Sequence, residues 1–201
     1  MIWNKVIWAA LACLLYVVVL AIVYVVHINF LPVNVVFYSA ILDGILAALI
    51  TGLVIYFLPI FSLFTLFEKL QLFAIFVLGG YIFAISIPTV IDRSLSFYIL
   101  EKLQQRGGGI ELDAFEQVFT TEYVAEHRLV DVRLTEQQES GTIEIEDGCV
   151  KLTEKGRMLA GTSRWFRRNL LPKKRLLMGE YTDDLTDPFR NSIETPDYTC
   201  N

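Results

Sequence analysis

The fold of this chain is decided by residues 35–58, VVFYSAILDGILAALITGLVIYFL. This stretch is long and apolar enough for a membrane-crossing helix, since about 20 residues at 1.5 Å each span the hydrocarbon core of a bilayer. It contains one ionisable residue, Asp43. Small residues recur at every fourth position: Ala40, Gly44, Ala48 and Gly52. The stretch therefore predicts a membrane helix with a flat packing face and a carboxylate at its edge.

Two further apolar runs accompany this helix. Residues 6–26 form a run that is too long for the apolar region of a signal peptide, which covers about 7–15 residues, and we expect a retained helix there. Residues 70–90 form another run, with Gly79 and Gly80 inside it. The sequence predicts three transmembrane helices, over residues 6–26, 35–58 and 70–90.

Charge divides the chain into two parts. Residues 1–91 carry two basic and two acidic side chains, whereas residues 92–201 carry the other fifteen basic and twenty acidic ones. We expect a membrane domain over 1–91 and a small α+β soluble domain over 92–178. Residues 179–201 hold six acidic residues and one arginine, which predicts a disordered acidic tail.

The soluble part reads as helix, helix, helix, hairpin, helix. The helices are predicted from Ser94 to Arg106, over 111–120, over 121–139 and over 154–170, by apolar spacing and by capping residues. Two short strands, 142–146 and 149–152, flank Asp147–Gly148, a strong signal for a hairpin turn.

This order resembles the winged-helix family. The residues that carry the resemblance are Gly141-Thr-Ile leading into the hairpin and the sequence LTEKGR, residues 152–157, leaving it. The resemblance covers roughly residues 94–170. It implies a winged-helix fold, and winged helices bind DNA or serve as protein-contact modules.

Charge disfavours nucleic acid as a partner. The third predicted helix, 121–139, has a net charge of −3, and residues 92–157 have eight basic and fourteen acidic side chains. A DNA-binding surface needs lysines and arginines that neutralise phosphates. We therefore expect a protein-contact surface with partner-facing acidic residues, namely Glu126, Asp131 and Glu136.

The membrane domain offers two candidate features. Asp43 lies deep enough for its carboxylate to need a partner or water, and His27 or a tyrosine hydroxyl could supply one. The small-residue face of residues 40–52 predicts close helix packing. Its partner is either Gly79 and Gly80 within the chain or a second subunit.

A basic and aromatic segment follows the soluble core. Its cations are Arg164, Arg167, Arg168, Lys173, Lys174 and Arg175. Together with Trp165 and Phe166 they are typical of a surface that contacts anionic membrane lipid. The same cations, with the bias of positive charge near the last span, predict a cytoplasmic C-terminal domain.

Motifs for catalysis and cofactors are absent from the sequence. The chain has no HExxH, GxSxG or Walker motif and no paired-cysteine metal site. Its three cysteines, Cys13, Cys149 and Cys200, are scattered, which argues against a disulfide framework. We therefore expect neither an enzyme nor a cofactor- or metal-binding protein.

The functional hypothesis is an accessory or scaffold protein of a bacterial-type inner (plasma) membrane. It would bind another membrane protein, or a second copy of itself, as a subunit of a complex that handles, for example, envelope glycans or lipids. Two alternatives remain: a membrane-tethered transcription regulator, and a small transporter subunit that uses Asp43.

Overall fold

The structure is a computed structural model that describes residues 2–190, 192 and 200. The chain divides into two compact units, residues 1–127 and residues 128–201. The first unit contains the long apolar helices, and the second contains both small sheets. The division expected from the sequence at residues 91/92 stays a prediction about domains.

Three apolar helices make up most of the first unit: α1 Ile2–Phe30, α2 Val36–Phe57 and α3 Leu66–Ser86. Each is long and apolar enough to cross a membrane, so the prediction of three such helices is confirmed. Their ends differ from the apolar runs because helices continue through polar residues that find partners. Lys5 extends α1, and its Nζ atom lies 2.7 Å from Oε1 of Glu68 in the first turn of α3.

The start of α3 is fixed by a capping box. The Thr65 hydroxyl accepts from the backbone N–H of Glu68 at 3.3 Å, and the Glu68 carboxylate accepts from the Thr65 N–H at 2.8 Å. This arrangement satisfies backbone donors that an uncapped helix end leaves unpaired. At the other end Pro88 has no N–H to continue the α3 ladder, and the short helix α4, Pro88–Arg93, follows.

Aromatic contacts show the relative direction of α1 and α3. Tyr16 stacks on Phe76 with ring centroids 4.8 Å apart, and Tyr24 meets Phe83 edge-on at 5.2 Å. Because both members of these pairs advance together along the sequence, α1 and α3 run in the same direction. The buried core of the bundle is made of Ala12, Tyr16, Leu20, Ala47, Ala48, Ile55, Leu72 and Phe76.

Two helical stretches complete the first unit. The Ser94 side chain caps α5, Leu95–Gln105, which ends where Gly107 and Gly108 adopt positive φ. A 3-10 turn at Leu112–Ala114, α6 Phe115–Gln117, a π-helical turn Val118–Tyr123 and α7 Val124–Glu126 then form one continuous helical stretch.

The helix boundary expected between residues 120 and 121 is wrong. The chain stays helical through Tyr123, and the break falls at Arg128, whose φ is +45°. Thr120 and Thr121 do not interrupt the helix, because both lie inside the π-helical turn Val118–Tyr123, where the backbone stays helical. The dipeptide His127–Arg128 contains no glycine or proline that would indicate a break.

The second unit begins with α8, Leu129–Glu139, followed by β1 Ile143–Glu146, β2 Cys149–Leu152 and α9 Glu154–Leu170. Asp147 and Gly148 both have positive φ, as the tight hairpin turn between β1 and β2 requires. The Thr153 hydroxyl accepts from the N–H of Gly156 and caps α9. A side chain at Gly156 would clash with the carbonyl oxygen of Thr142, so the glycine lets α9 pack directly on the start of the hairpin.

A second hairpin follows α9. It pairs β3 Arg175–Leu177 with β4 Glu180–Thr182 through a turn in which Met178 and Gly179 have positive φ. A 3-10 turn, Asp184–Thr186, comes next. The structure thus places secondary structure at the start of the segment from residue 179 that the sequence predicts to be disordered.

Candidate functional site

The buried carboxylate of Asp43 lies against His27. Nδ1 of the imidazole and Oδ1 of the carboxylate are 2.5 Å apart, and the two side chains are 12% and 2% exposed. The pair joins the last turns of α1 to the second turn of α2. One of the partners anticipated from the sequence, His27, is therefore the residue that Asp43 contacts.

The small-residue face of α2 lies inside the bundle. Ala40, Gly44 and Ala48 are buried there, and Gly44 meets Gly80 of α3 backbone to backbone. A Cβ built on Gly80 would lie 2.7 Å from the Cα atom of Gly44, closer than carbon atoms approach. Only glycine at both positions allows this helix crossing.

The remaining small residues have more room. Gly52 faces the ring of Phe73, and Gly79 lies beside Tyr16, whose ring is 3.4 Å from a Cβ built there. The sequence left open whether the small-residue face packs within the chain or against a second subunit. In the structure the part of this face around Gly44 packs within the chain, against Gly80.

Two buried polar atoms near this crossing have no hydrogen-bond partner within the described part of the chain: Oδ2 of Asp43 and Oγ1 of Thr51. Both residues lie on α2 and are at most 1% exposed. Oδ2 of Asp43 is therefore an acceptor that a hydrogen-bond donor reaching this crossing could use.

A charged cluster between α5 and the helical stretch formed by the π-helical turn and α7 was not anticipated from the sequence. Lys102 is 3% exposed, and its Nζ atom lies 2.6 Å from carboxylate oxygens of both Glu122 and Glu126. The Tyr98 hydroxyl donates to Glu126 at 2.9 Å, and Arg106 donates to Glu122 at 2.8 Å. The four-residue spacings Tyr98/Lys102 and Glu122/Glu126 were the available signal, since each pair shares a helix face.

The cluster shifts the pKa values of Lys102, Glu122 and Glu126 in the direction that keeps them charged, and that of Tyr98 in the direction that keeps its hydroxyl protonated. Hydrogen bonds to Glu122 and then Glu126 raise the pKa of Lys102. Hydrogen bonds from Lys102 and then Arg106 lower the pKa of Glu122, and those from Lys102 and then Tyr98 lower the pKa of Glu126. Burial, with the bond to Glu126, raises the pKa of Tyr98. The arrangement is a stable ion-pair network.

The three acidic residues expected to face a partner lie in different surroundings. Glu126 belongs to the network just described. Asp131 pairs with Arg128 at 2.8 Å on the exposed surface of α8, and Glu136 pairs with Arg133 at 2.7 Å with its side chain 11% exposed. Of the three, Asp131 is the one whose carboxylate is both far from a buried partner and well exposed.

The β1–β2 hairpin has one wholly apolar face. The register pairs Ile143 with Leu152 and Ile145 with Val150, so these four side chains lie on the same side of the ribbon. The opposite side carries Glu144, Glu146 and Lys151, with a Glu146–Lys151 ion pair at 2.9 Å. We call Ile143, Ile145, Val150 and Leu152 the apolar hairpin face.

The apolar hairpin face is not covered by its own unit. Ile145, Val150 and Leu152 are 42%, 46% and 45% exposed. Among the described residues from 128 to 190, no hydrophobic side chain is buried. This unit therefore lacks the dry core that normally stabilises a small domain.

The basic segment, defined as Arg164, Arg167, Arg168, Lys173, Lys174 and Arg175, lies on and just after α9. Arg168 pairs with Asp187 at 2.6 Å. The other five have no carboxylate partner within the described part of the chain. On α9 the cations occupy one side of the helix, and Met158, Trp165, Phe166 and Leu170, all exposed, occupy the other.

Two of the three cysteines are bonded to each other. The sulfur atoms of Cys149 and Cys200 are joined in a disulfide, so the expectation of unpaired cysteines is wrong for these two; sequence spacing alone does not reveal a pairing over 51 residues. No group of three histidine, cysteine or acidic side chains that could hold a metal ion occurs among the described residues.

Comparison with protein-family models, with curated proteins and with solved structures finds no match to this chain.

Proposed function

We propose that this chain is a multi-pass membrane protein of the accessory or scaffold type, which acts by binding a partner protein. The observation that carries the proposal is the apolar hairpin face. Three of its side chains are more than 40% exposed, in a unit whose described residues include no buried hydrophobic side chain. Exposed contiguous apolar surface on a small domain is typical of an interaction site.

The charge around this face defines the chemistry of the partner. Glu144, Glu146 and Asp147 lie on the hairpin, and α8 adds Asp131 and Glu139. Glu144 and Glu146 point to the side of the ribbon opposite the apolar face, so they set the charge of the surrounding surface and not of the contact itself. Cations at the edge of a partner's apolar centre would complement this acidic surrounding surface. The same acidic surface disfavours DNA, and with it the alternative of a tethered transcription regulator.

The order of elements supports a winged-helix-like contact module. The hairpin follows three helical stretches and precedes α9, as the resemblance implies. In such a module the hairpin corresponds to the wing. We propose that the partner protein binds to the apolar side of this wing.

The three apolar helices supply the anchor. Their outward side chains are large and exposed, as side chains that face lipid are. Since Gly44 and Gly80 are used inside the bundle, a membrane partner would dock on these outer side chains. We place the protein in a bacterial-type inner membrane, as a subunit of a complex that handles envelope glycans or lipids.

Two features support a cytoplasmic position for residues 92–201. Arg93, Lys102 and Arg106 lie near the last span, and cations there favour the inner side of the membrane. The basic segment suits the cytoplasmic leaflet, which is anionic. The Cys149–Cys200 disulfide opposes this orientation, because disulfides are rare in reducing compartments. Labelling of both thiols in intact and in permeabilised cells, with and without a reductant, separates the two orientations.

The experiment is purification of the tagged full-length chain in a mild detergent from its native membrane. We expect a stoichiometric partner protein, or a second copy of the chain, to copurify. Val150→Thr should abolish this copurification, because it places a hydroxyl in the apolar hairpin face. Lys151→Thr is the matched control: it changes the adjacent residue, which points to the other side of β2. A monodisperse lone monomer from wild type would contradict the proposal.

A further inference from the structure

A groove lies on the outer surface of the helix bundle, between α2 and α3. It has a volume of about 240 Å³, and its walls are almost entirely apolar. The residues that shape it are Leu49, Gly52, Tyr56, Lys69, Phe73 and Phe76. We call this feature the α2–α3 groove.

Gly52 lies in the wall of the groove. A Cβ at this position would lie 3.1 Å from the ring of Phe73, so a larger side chain would fill the space between the helices. Phe76, which is 1% exposed, forms the floor of the groove. The result is an apolar groove whose lining includes the exposed side chains of Leu49, Tyr56 and Leu70.

An uncompensated cation lies at one end of the groove. Lys69 is in the first turns of α3, with its Nζ atom 5.5 Å from the centre of the Tyr56 ring. No carboxylate pairs with Lys69 within the part of the chain that the structure describes. Glu68 next to it is already held by Lys5, at 2.7 and 2.9 Å. The end of the groove therefore carries a positive charge without a counterion.

We propose that the α2–α3 groove binds one acyl chain of an anionic glycerophospholipid, whose phosphate pairs with Lys69. This inference rests on the proposed membrane insertion. Lys69 and Tyr56 lie near the α2–α3 connection, where the spans reach the headgroup level. Lysine and tyrosine are common at that level, and a lysine without a carboxylate partner can form a charge-assisted hydrogen bond to a lipid phosphate in either leaflet.

A lipid fits this groove better than a transmembrane helix of another protein. Helices that pack closely in lipid use faces of small residues, and Gly52 is the one small residue in the lining. The large rings of Phe73 and Tyr56 would hold a partner helix away from the groove floor. A flexible acyl chain enters such a groove without this obstacle.

The test uses the full-length protein in phosphatidylcholine nanodiscs that contain a trace of photoreactive phosphatidylglycerol, with the reactive group on the acyl chain. Adducts should concentrate at Leu49, Gly52 and Phe73. Labelling should exceed that by the matching phosphatidylcholine probe about fivefold, the effect expected from one lysine at an anionic surface. Lys69→Met should remove the preference, and Lys69→Arg should keep it.

Filling the groove is the second arm. Gly52→Leu should remove the adducts at Leu49 and Phe73, whereas Gly161→Leu, on an exposed helix with open space around it, should leave them unchanged. Equal labelling by both probes in wild type, or a preference that survives Lys69→Met, overturns the groove proposal alone. A chain that fails to insert into nanodiscs overturns the membrane proposal and the groove with it.

Discussion

Nδ1 of His27 lies 2.5 Å from Oδ1 of Asp43, and this contact joins two otherwise apolar helices inside the bundle. Each side chain is nearly inaccessible to solvent. Within this pair, Nδ1 of His27 and Oδ1 of Asp43 satisfy each other, whereas Oδ2 of Asp43 has no partner among the described residues. The loss of one member leaves a buried group that no neighbouring side chain can satisfy.

The first prediction is a coupling between these two residues. His27→Leu and Asp43→Leu should each destabilise the bundle, and the double variant should recover most of the loss. We expect a coupling free energy of about 1–2 kcal/mol, in the upper range for interhelical hydrogen bonds in membranes. The measurement is unfolding by sodium dodecyl sulfate in mixed micelles. Thr51→Val, which removes a buried hydroxyl without a partner, is the control and should change little. Strict additivity of the two single effects would argue against the pair.

The second prediction concerns the helix crossing at Gly44 and Gly80. Gly80→Ala should destabilise the bundle by about 1–3 kcal/mol, because the added methyl group meets the Gly44 backbone. Gly79→Ala is the matched control: its Cβ would lie 3.4 Å from the Tyr16 ring, an ordinary contact. The same unfolding assay compares the two variants. Equal stability of both would show that the helices do not meet at Gly80.

The third prediction is the pH dependence of the Lys102 network. The pKa values of Glu122 and Glu126 are lowered in the folded state. Their contribution to stability is therefore complete above the unfolded pKa of about 4.3 and is lost as the pH falls through the lower folded value. Lys102, whose pKa is raised, contributes fully below about 10.4 and loses that contribution as the pH rises beyond it.

The variant Glu126→Gln tests this pH dependence of the Lys102 network. The difference in free energy of unfolding between wild type and this variant should be constant near neutral pH and should shrink below pH of about 4. Hydrogen exchange of α5 and α7 amides at several pH values measures it locally. Glu101→Gln, on the same helix as Lys102 but outside the network, is the control. A difference that grows on acidification would contradict the assigned pairing.

The fourth prediction tests the basic segment. With Trp3 and Trp8 replaced by Phe, Trp165 reports on α9 alone. Its emission should shift to shorter wavelength in nanodiscs with phosphatidylglycerol, compared with phosphatidylcholine alone. Replacement of Arg164, Arg167 and Lys173 by Gln should abolish the shift, since each cation near an anionic surface contributes about 1 kcal/mol.

The control for that experiment replaces three cations that already have carboxylate partners: Arg128, Lys151 and Arg190. Their charge is balanced within the protein, so the emission shift should persist. If both triple variants behave alike, net charge alone determines membrane binding. If a duplex DNA competitor removes the shift from wild type, the segment binds nucleic acid instead of lipid.

The three apolar helices could be predicted from the sequence because long helices of this composition follow simple rules. Long apolar runs predict spans, and small residues at every fourth position predict a close crossing, which Gly44 forms. The N-terminal ends of α1 and α3 were harder to predict from the sequence, because they depend on an ion pair across the bundle between Lys5 and Glu68.

The features missed from sequence depend on contacts distant along the chain or on irregular helix. Lys102 meets Glu126 from 24 residues away, and nothing in either helix alone indicates that the lysine is buried. The break at Arg128 follows a π-helical turn that has no composition signal. The apolar hairpin face, in contrast, follows from strict alternation in β1, although its exposure does not.

Photocrosslinking in living cells tests the central claim most directly. A benzoylphenylalanine at position 150 lies on the apolar hairpin face, and the same residue at position 151 points to the opposite side of the ribbon. The account predicts one discrete protein adduct, to a partner or to a second copy of the chain, from position 150 and none from position 151. Equal adducts from both positions, or none from position 150 in cells that carry the full-length protein in the membrane, would contradict it.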